Sequence, residues 1–255
     1  MGRYKLPRGM RYASLNEREE FYRREFSVGE VEGWFRNRMK KPVFAVIIGR
    51  HTRIYPQEYE EDASTTILID EYKSVREVKG FILDFLPEAV YYDRNIYDAR
   101  GKGVGQELAF DLDPENITCP IHGSLAEKMK RRQGLSFCAL ELRMIKEQTL
   151  RLYEHLENRF SSVEIVYSGR GFHVHVFDEE AYAMNRGGRE RLAKSIKADD
   201  FPIDEWVTSG SMRLIRLPFS LHGLVSRIVL PLKPSEVARF DPRTDERCVP
   251  KFLRK

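Results

Sequence analysis

Two aspartates, Asp111 and Asp113, close the segment QELAFDLD (106–113). The segment alternates strictly, so Leu108, Phe110 and Leu112 point to one side, and Glu107, Ala109, Asp111 and Asp113 to the other. Residues i and i+2 of a strand share a face roughly 7 Å apart. Carboxylates so placed can straddle hard divalent cations such as magnesium or manganese. Nucleotidyl transfer uses such a pair of ions, one activating the attacking hydroxyl and one holding the triphosphate and the leaving pyrophosphate. Asp204, which follows Ile203 where a short strand or turn is expected over 203–208, offers a third acid, while the adjacent Glu205 reads as surface charge. A lone D-x-D is common in loops, so the pair takes its meaning from its surroundings.

Ser168-Gly169-Arg170-Gly171 lies between two expected strands. Glycines let backbone N–H groups approach a phosphate, and an arginine adds a permanent forked cation. His173 and His175 then alternate on one face of the next strand. The plain structural alternative is a tight hairpin with two half-buried, hydrogen-bonded histidines. Arg213, Arg216 and His222 follow downstream. A third group, Cys119, His122 and Cys138, falls in the polar, irregular stretch 114–138. Three cysteines (the third is Cys248) cannot all pair, and metal binding is open to two of them.

The elements around these residues follow from periodicity. Residues 15–40 have helical spacing ended by Pro42; 43–49 and 52–55 read as strands, 75–86 as a helix and 88–92 as a strand. A long helix is expected over 139–159, with Leu142, Ile145, Leu150, Tyr153 and Leu156 for its buried face. Residues 163–177 read as strand, glycine turn, strand, and 178–200 as mostly helical. Residues 213–232 give two strands around a turn at Ser220 to Gly223. Strands and helices mix without regular alternation, which predicts an α+β fold rather than a doubly wound sheet.

Composition sets the outer bounds. The 255 residues are 42% hydrophobic and 32% charged, with a net charge of +4, as expected of a globular chain that can take a polyanionic partner. Basic clusters at Arg36–Lys41, Lys128–Arg132 and Arg186–Lys197 are either solvated helix faces or parts of such a surface. No apolar run approaches the ~20 residues of a spanning helix. The N-terminus, MGRYKLPRGMRY, has no apolar stretch behind its basic residues and does not read as a signal peptide, so a cytoplasmic location without a membrane partner is expected.

Together the pieces resemble the catalytic small subunit of archaeal and eukaryotic DNA primases, over most of the chain. EREEFYRREF (17–26) is similar to that family's N-terminal helix, GQELAFDLD (105–113) to its first catalytic motif and YSGRGFHVHV (167–176) to its second. Ile203-Asp204 matches the third, and RLIRLPFSLHG (213–223) is the most specific match. The resemblance implies a mixed α/β catalytic core around an antiparallel sheet, with residues 1–255 forming one catalytic domain and 114–141 a small zinc-binding element. It implies that Asp111, Asp113 and Asp204 ligate two Mg2+ or Mn2+ ions, and that Ser168, Arg170, His173 and His222 hold the triphosphate, with Arg213 beside them. Arg50 or Arg53 can contribute. It further implies primer synthesis on single-stranded DNA from NTPs or dNTPs, with a primase large subunit as partner.

Two departures stand out. The family's zinc element usually has four Cys or His ligands; here Cys119, His122 and Cys138 are joined by Glu141 where a last cysteine is expected. A Cys-His-Cys-Glu zinc site and a site that has lost its metal both remain open. Many members also carry a long helical insertion between the second and third motifs, whereas thirty residues separate His173 from Asp204 here. Rival readings are the polymerase domain of bacterial repair ligases, a non-catalytic scaffold subunit and a metal-dependent phosphohydrolase. The RLIRLPFSLHG stretch and the Cys/His segment favour the primase over the first, and the second is disfavoured by the presence of all three acids and the histidine.

Overall fold

The computed structural model describes residues 6–7, 9–39, 41–48, 65–98, 100–133 and 136–254. Arg50, Arg53 and the strand expected over 52–55 lie outside the described residues. The chain runs through α1 (Leu15–Arg24), α2 (Val28–Phe35), β1 (Phe44–Ile48), β2 (Thr65–Ile69), α3 (Val75–Phe85) and β3 (Val90–Asp93). It continues with β4 (Asn95–Tyr97), β5 (Gly103–Gln106), β6 (Leu108–Leu112), α4 (Leu125–Lys130), α5 (Ala139–Glu157), β7 (Val163–Tyr167) and β8 (Phe172–Val176). Last come α6 (Glu179–Ala183), α7 (Arg186–Ala198), α8 (Glu205–Thr208), β9 (Leu214–Arg216), β10 (Leu221–His222), β11 (Arg227–Ile228), β12 (Leu230–Leu232) and α9 (Pro234–Val237).

Two four-stranded antiparallel sheets organise these elements, in the orders β2-β1-β3-β9 and β12-β7-β8-β6. The mixed α/β architecture with antiparallel sheets is the one the sequence predicts. The second sheet is covered on both faces. Leu108, Phe110, Leu112 and Val174 pack in one core with Leu142, Ile145, Leu152 and Leu156 of α5. Ala109 and Val166, on the opposite face, join the core of the first sheet with Phe44, Tyr92 and Ile215. Each such large side chain contributes about 1.5–3 kcal/mol on burial. The alternation along β6 is therefore enforced from both sides.

Several expectations are corrected. The helical stretch 15–40 is two helices, because the Ser27 hydroxyl accepts the Glu30 N–H and starts α2 anew. On α5, Leu152 and Thr149 are fully buried while Leu150 and Tyr153 are half-buried. The Thr149 hydroxyl satisfies itself on the Ile145 carbonyl at 2.7 Å, so a polar residue could take a core position. Residues 205–208 are helical, with Asp204 as the cap rather than a strand residue. The stretch 213–232 is four short strands: β9 belongs to the first sheet, β12 to the second, and β10 pairs with β11 around a turn at 223–226. Among the described residues no helix is long and apolar enough to cross a membrane.

Candidate active site

The site forms where β6 ends. β6 is the edge strand of its sheet, with β8 on one side: Asp111 lies opposite His173 in the antiparallel register, and their Oδ1 and Nε2 are 3.6 Å apart. Asp113 follows the strand and leads into a 3-10 turn at Pro114–Asn116. The free edge recruits the third acid. The Asp204 N–H donates to the Asp111 carbonyl at 2.9 Å, and Asp204 Oδ1 then accepts the Trp206 N–H at 2.9 Å.

Two buried arginines hold this edge. Arg94 donates to the Glu107 carbonyl at 2.9 Å and to the carbonyls of Val207 and Met212 at 2.5 and 2.6 Å, tying α8 to β6. Arg189 donates to the carbonyls of Gln106, Glu107 and Ala181. Neither arginine was singled out from the sequence. The only available signal was their position, in an apolar strand end and on a helix of otherwise solvated cations.

The glycine turn between β7 and β8 packs directly on this cluster. Gly169 adopts φ +105°, and a Cβ there would sit 2.6 Å from His222 Cβ. A Cβ on Gly171 would lie 2.3 Å from Asp113 Oδ1 and 2.4 Å from the Leu112 carbonyl. Both glycines are therefore required for contact, the first for conformation as well. The Ser168 hydroxyl accepts the Gly171 N–H at 3.2 Å. One Arg170 nitrogen meets Asp113 Oδ2 at 2.9 Å and also Glu115. His222, on β10, is placed from behind by the N-terminal helix: Tyr22 is fully buried and its hydroxyl accepts the Leu221 N–H at 3.4 Å.

The electrostatics are unbalanced. Burial, then the charges of Asp113 and Asp204, push the Asp111 carboxyl well above the usual range, with Arg170 and Arg216 pulling the other way. Asp111 keeps 24% of its side-chain surface open, yet Oδ1 is shielded from solvent and has no hydrogen-bond partner. Burial works against the Arg170 charge, but Asp113 and Glu115 outweigh it and raise its pKa. Burial and neighbouring cations hold His173 and His222 far below the normal imidazole range, and the Nδ1 of each has no partner. Asp111, with an orphaned buried oxygen, and the neighbouring Asp113 and Asp204 offer the all-oxygen donor type that suits a hard divalent cation, although among the described residues their ligand atoms are not drawn into one compact group as those of Cys119, His122, Cys138 and Glu141 are.

The structure thus brings together Asp111, Asp113, Asp204, Ser168, Arg170, His173 and His222. Arg213 stands apart: it is half exposed and pairs with Asp93 at 3.3 Å. Arg216, three residues further at the end of β9, is the arginine whose charge is felt by all of Asp111, His173 and His222, and its Nη1 is buried without a partner. His175 follows the plain structural reading. It is fully buried, with Nδ1 2.5 Å from Glu107, which also accepts the Tyr92 hydroxyl at 2.8 Å. Glu115, which shares Arg170, was missed because the 3-10 turn after β6 left no periodic signal.

A second donor cluster lies in the segment before α5. Cys119, His122, Cys138 and Glu141 place ligand atoms within 4.8 Å of one another. Cys119 Sγ is 3.4 Å from His122 Nδ1 and 4.0 Å from Cys138 Sγ, spacings that a tetrahedral ion would span. Glu141 is otherwise engaged. Its Oε1 accepts Lys128 Nζ at 2.8 Å and its Oε2 caps the Cys138 N–H at 2.7 Å.

Comparison with solved structures gives the class of the fold. Over 98% of this chain and 92% of the other, the structure is similar to the polymerase domain of Mycobacterium tuberculosis ligase D in complex with DNA, with a TM-score of 0.58 at 14% identity. No protein-family model matches the chain. The chain is 50% identical, over 98% of its length and 94% of the relative's, to an uncharacterized DNA primase small subunit-like protein of Archaeoglobus fulgidus. It is 27% identical to the DNA primase small subunit PriS of Pyrobaculum calidifontis over 70% of each chain. The same identity holds to PriS of Pyrococcus abyssi, over 75% of this chain and 51% of that one. This chain belongs to the family of DNA primase small subunit-like proteins.

Proposed function

We propose that the chain is a template-directed nucleotidyltransferase that makes primers on single-stranded DNA, with the β6–β8 cluster as its catalytic centre. The observation that carries this reading is the partnerless buried oxygen of Asp111, with Asp204 docked on the Asp111 backbone and Asp113 next to a glycine turn bearing Arg170. Asp111, Asp113 and Asp204 would hold Mg2+ or Mn2+, which when bound supplies activation of the attacking hydroxyl and charge neutralisation at the leaving pyrophosphate. The chain's own groups do the rest. Arg170, already leaning on Asp113 and Glu115, offers its guanidinium to the triphosphate. His173 and His222, held neutral by burial, present N–H groups to phosphate oxygens without adding charge beside the acids. Gly169 and Gly171 keep the approach open. NTPs or dNTPs are the substrates, a primase large subunit the partner, and the cytoplasm the compartment of this reading.

The Cys119–His122–Cys138 cluster fits zinc by donor type and spacing, within a small element over 114–141 of the 255-residue catalytic domain. Such an ion would be structural, since the segment has little apolar material to hold it. The deciding experiment is incubation of the protein with a single-stranded template, nucleotides and manganese. Oligomer products support the proposal. Nucleotide cleavage without oligomers points to a phosphohydrolase, and absence of both to a scaffold; either outcome overturns it.

A further inference from the structure

A cleft of about 610 Å3 opens directly beyond Asp204, between α7 and α8, with Asn116 at its inner end. A second hollow of about 350 Å3 continues from it past Arg186 and Ser209 toward β5. The outer wall is α7, which carries Arg186, Arg189, Arg191, Lys194 and Lys197 against one acid, Glu190. Arg189 is turned inward to the β6 edge, and Glu190 is paired with Arg186 at 2.8 Å. Lys194 and Lys197 line the cleft and are exposed, and Lys197 Nζ donates to the Ile203 carbonyl at 3.2 Å. The cleft's remaining acids, Asp204 and Glu205, sit at the end next to the carboxylate cluster.

On the rim opposite these cations stands Trp206, 68% exposed. A tryptophan is normally largely buried, and the other tryptophan here, Trp34, is 6% exposed. Trp206 is two residues from Asp204 and fixed to it: its N–H bonds Asp204 Oδ1, and its carbonyl accepts the Met212 N–H at 3.1 Å. An indole held open by rigid backbone, in a cleft that it shares with Arg186, Lys194, Lys197 and the acid Asp204, is an arrangement that binds a nucleic-acid strand. Bases stack on the ring irrespective of sequence, and phosphates track the cations.

We propose that this cleft is a single-stranded nucleic-acid channel, with Trp206 as the stacking platform and Arg186, Lys194 and Lys197 as the phosphate rail. The channel delivers a strand to the β6 carboxylates, and in that respect the proposal rests on the nucleotidyl-transfer reading. A protein partner would also cover an exposed tryptophan, but it would not call for the cation row continuing into the catalytic end.

The test uses the full chain in chelator, so that no nucleotide is added. Two tryptophans make the protein its own reporter, because Trp206 is exposed and Trp34 is not. Oligo(dT) and oligo(rU) are titrated separately, with free dTTP as the control, following tryptophan fluorescence and the anisotropy of a labelled oligonucleotide. Saturable quenching by one or both oligonucleotides is expected, and the two arms show which sugar is preferred. Trp206→Ala should weaken binding about tenfold and Trp206→Phe restore most of it. Lys194→Ala should reduce the slope of log affinity against log salt by about 0.7. In primer extension both variants should raise the template KM and leave kcat unchanged, since neither side chain touches the acids. Quenching by dTTP alone, or equal oligonucleotide affinity in wild type, Trp206→Ala and Lys194→Ala, overturns the channel. A protein that adds nucleotides with unchanged template KM in both variants keeps its activity and loses this channel. One that binds strands through Trp206 but adds no nucleotide keeps the channel and loses the activity.

Discussion

Two donor clusters sit at the two ends of the short 114–141 segment, and they are balanced in opposite ways. At the β6 end, Asp111, Asp113 and Asp204 repel one another, and an Asp111 oxygen is buried with nothing to bind. At the α5 end, Glu141 is almost fully buried, yet Lys128 Nζ and the Cys138 N–H satisfy both of its oxygens. The first cluster carries an unmet demand for positive charge. The second carries its own cation, 2% exposed, on a tethered chain. On the proposed function, the imbalance is that of a site kept for chemistry and the balance that of a site kept for architecture.

The largest expected effect is at the imbalanced end. Asp111→Ala or Asp113→Ala should lower nucleotide addition by at least about a hundredfold, a loss of roughly 2.7 kcal/mol of transition-state stabilisation. Asp111→Ala also relieves like-charge crowding, so its melting temperature in chelator should stay level or rise, whereas Asp113→Ala takes a partner from Arg170 and should not share that gain. A double variant that extends primers at near wild-type rate would remove the metal assignment.

At the balanced end the effect should fall on stability. Lys128→Met leaves Glu141 buried without its partner, which costs about 3–5 kcal/mol. With Lys128 gone, Glu141 Oε1 is free to ligate, so zinc should recover part of the lost stability in denaturant titrations. Equal losses with zinc and with chelator would show that Glu141 does not reach the ion.

A smaller effect is expected for Arg170→Ala, a rise in nucleotide KM of about tenfold, or 1.4 kcal/mol, at near-normal folding stability. Arg170→Lys should recover little of it, because a point charge cannot bridge Asp113, Glu115 and a phosphate together. Steady-state extension over a range of nucleotide concentrations separates KM from kcat here.

The smallest effect on activity should follow removal of zinc itself. Purified protein is expected to contain about one equivalent, held by Cys119, His122 and Cys138. Chelation should speed hydrogen exchange over 114–140 before it slows nucleotide addition. Less than about a tenth of an equivalent, with no gain on reconstitution, would leave the segment without a structural ion.

Much of this was legible in the chain because β6 is a strict alternation. The same pattern that fixes Leu108, Phe110 and Leu112 in one core places Asp111 on the other face, and the structure adds only what the other face meets. The glycine turn was readable because Ser168–Gly171 interrupts two apolar strands, and the structure adds that a Cβ at Gly169 or Gly171 would clash with His222 or Asp113. The parts that escaped are long-range. Nothing local to Asp204 says that it docks on a strand edge nearly a hundred residues earlier, and its neighbours form a four-residue helix too short to show a period. Arg213 and Arg216 look alike in sequence, and only the pairing of β9 with β3 sends the first to Asp93 and leaves the second facing the acids. In 213–232, strands of two and three residues cannot display an alternation, so four of them read as two.

The open edge of β6 has a further consequence. Unpaired strand edges invite other chains to add on, and β6 is apolar along most of its length. Here the edge is occupied by Arg94, Arg189 and the Asp204 backbone, the same groups that bring the third acid into place. Colloidal behaviour and chemistry are thereby joined in one stretch of backbone. A descendant of this chain could lose its aspartates and stay soluble. On the proposed function, one that lost residues 203–212, or either arginine, would shed activity and begin to self-associate in the same step.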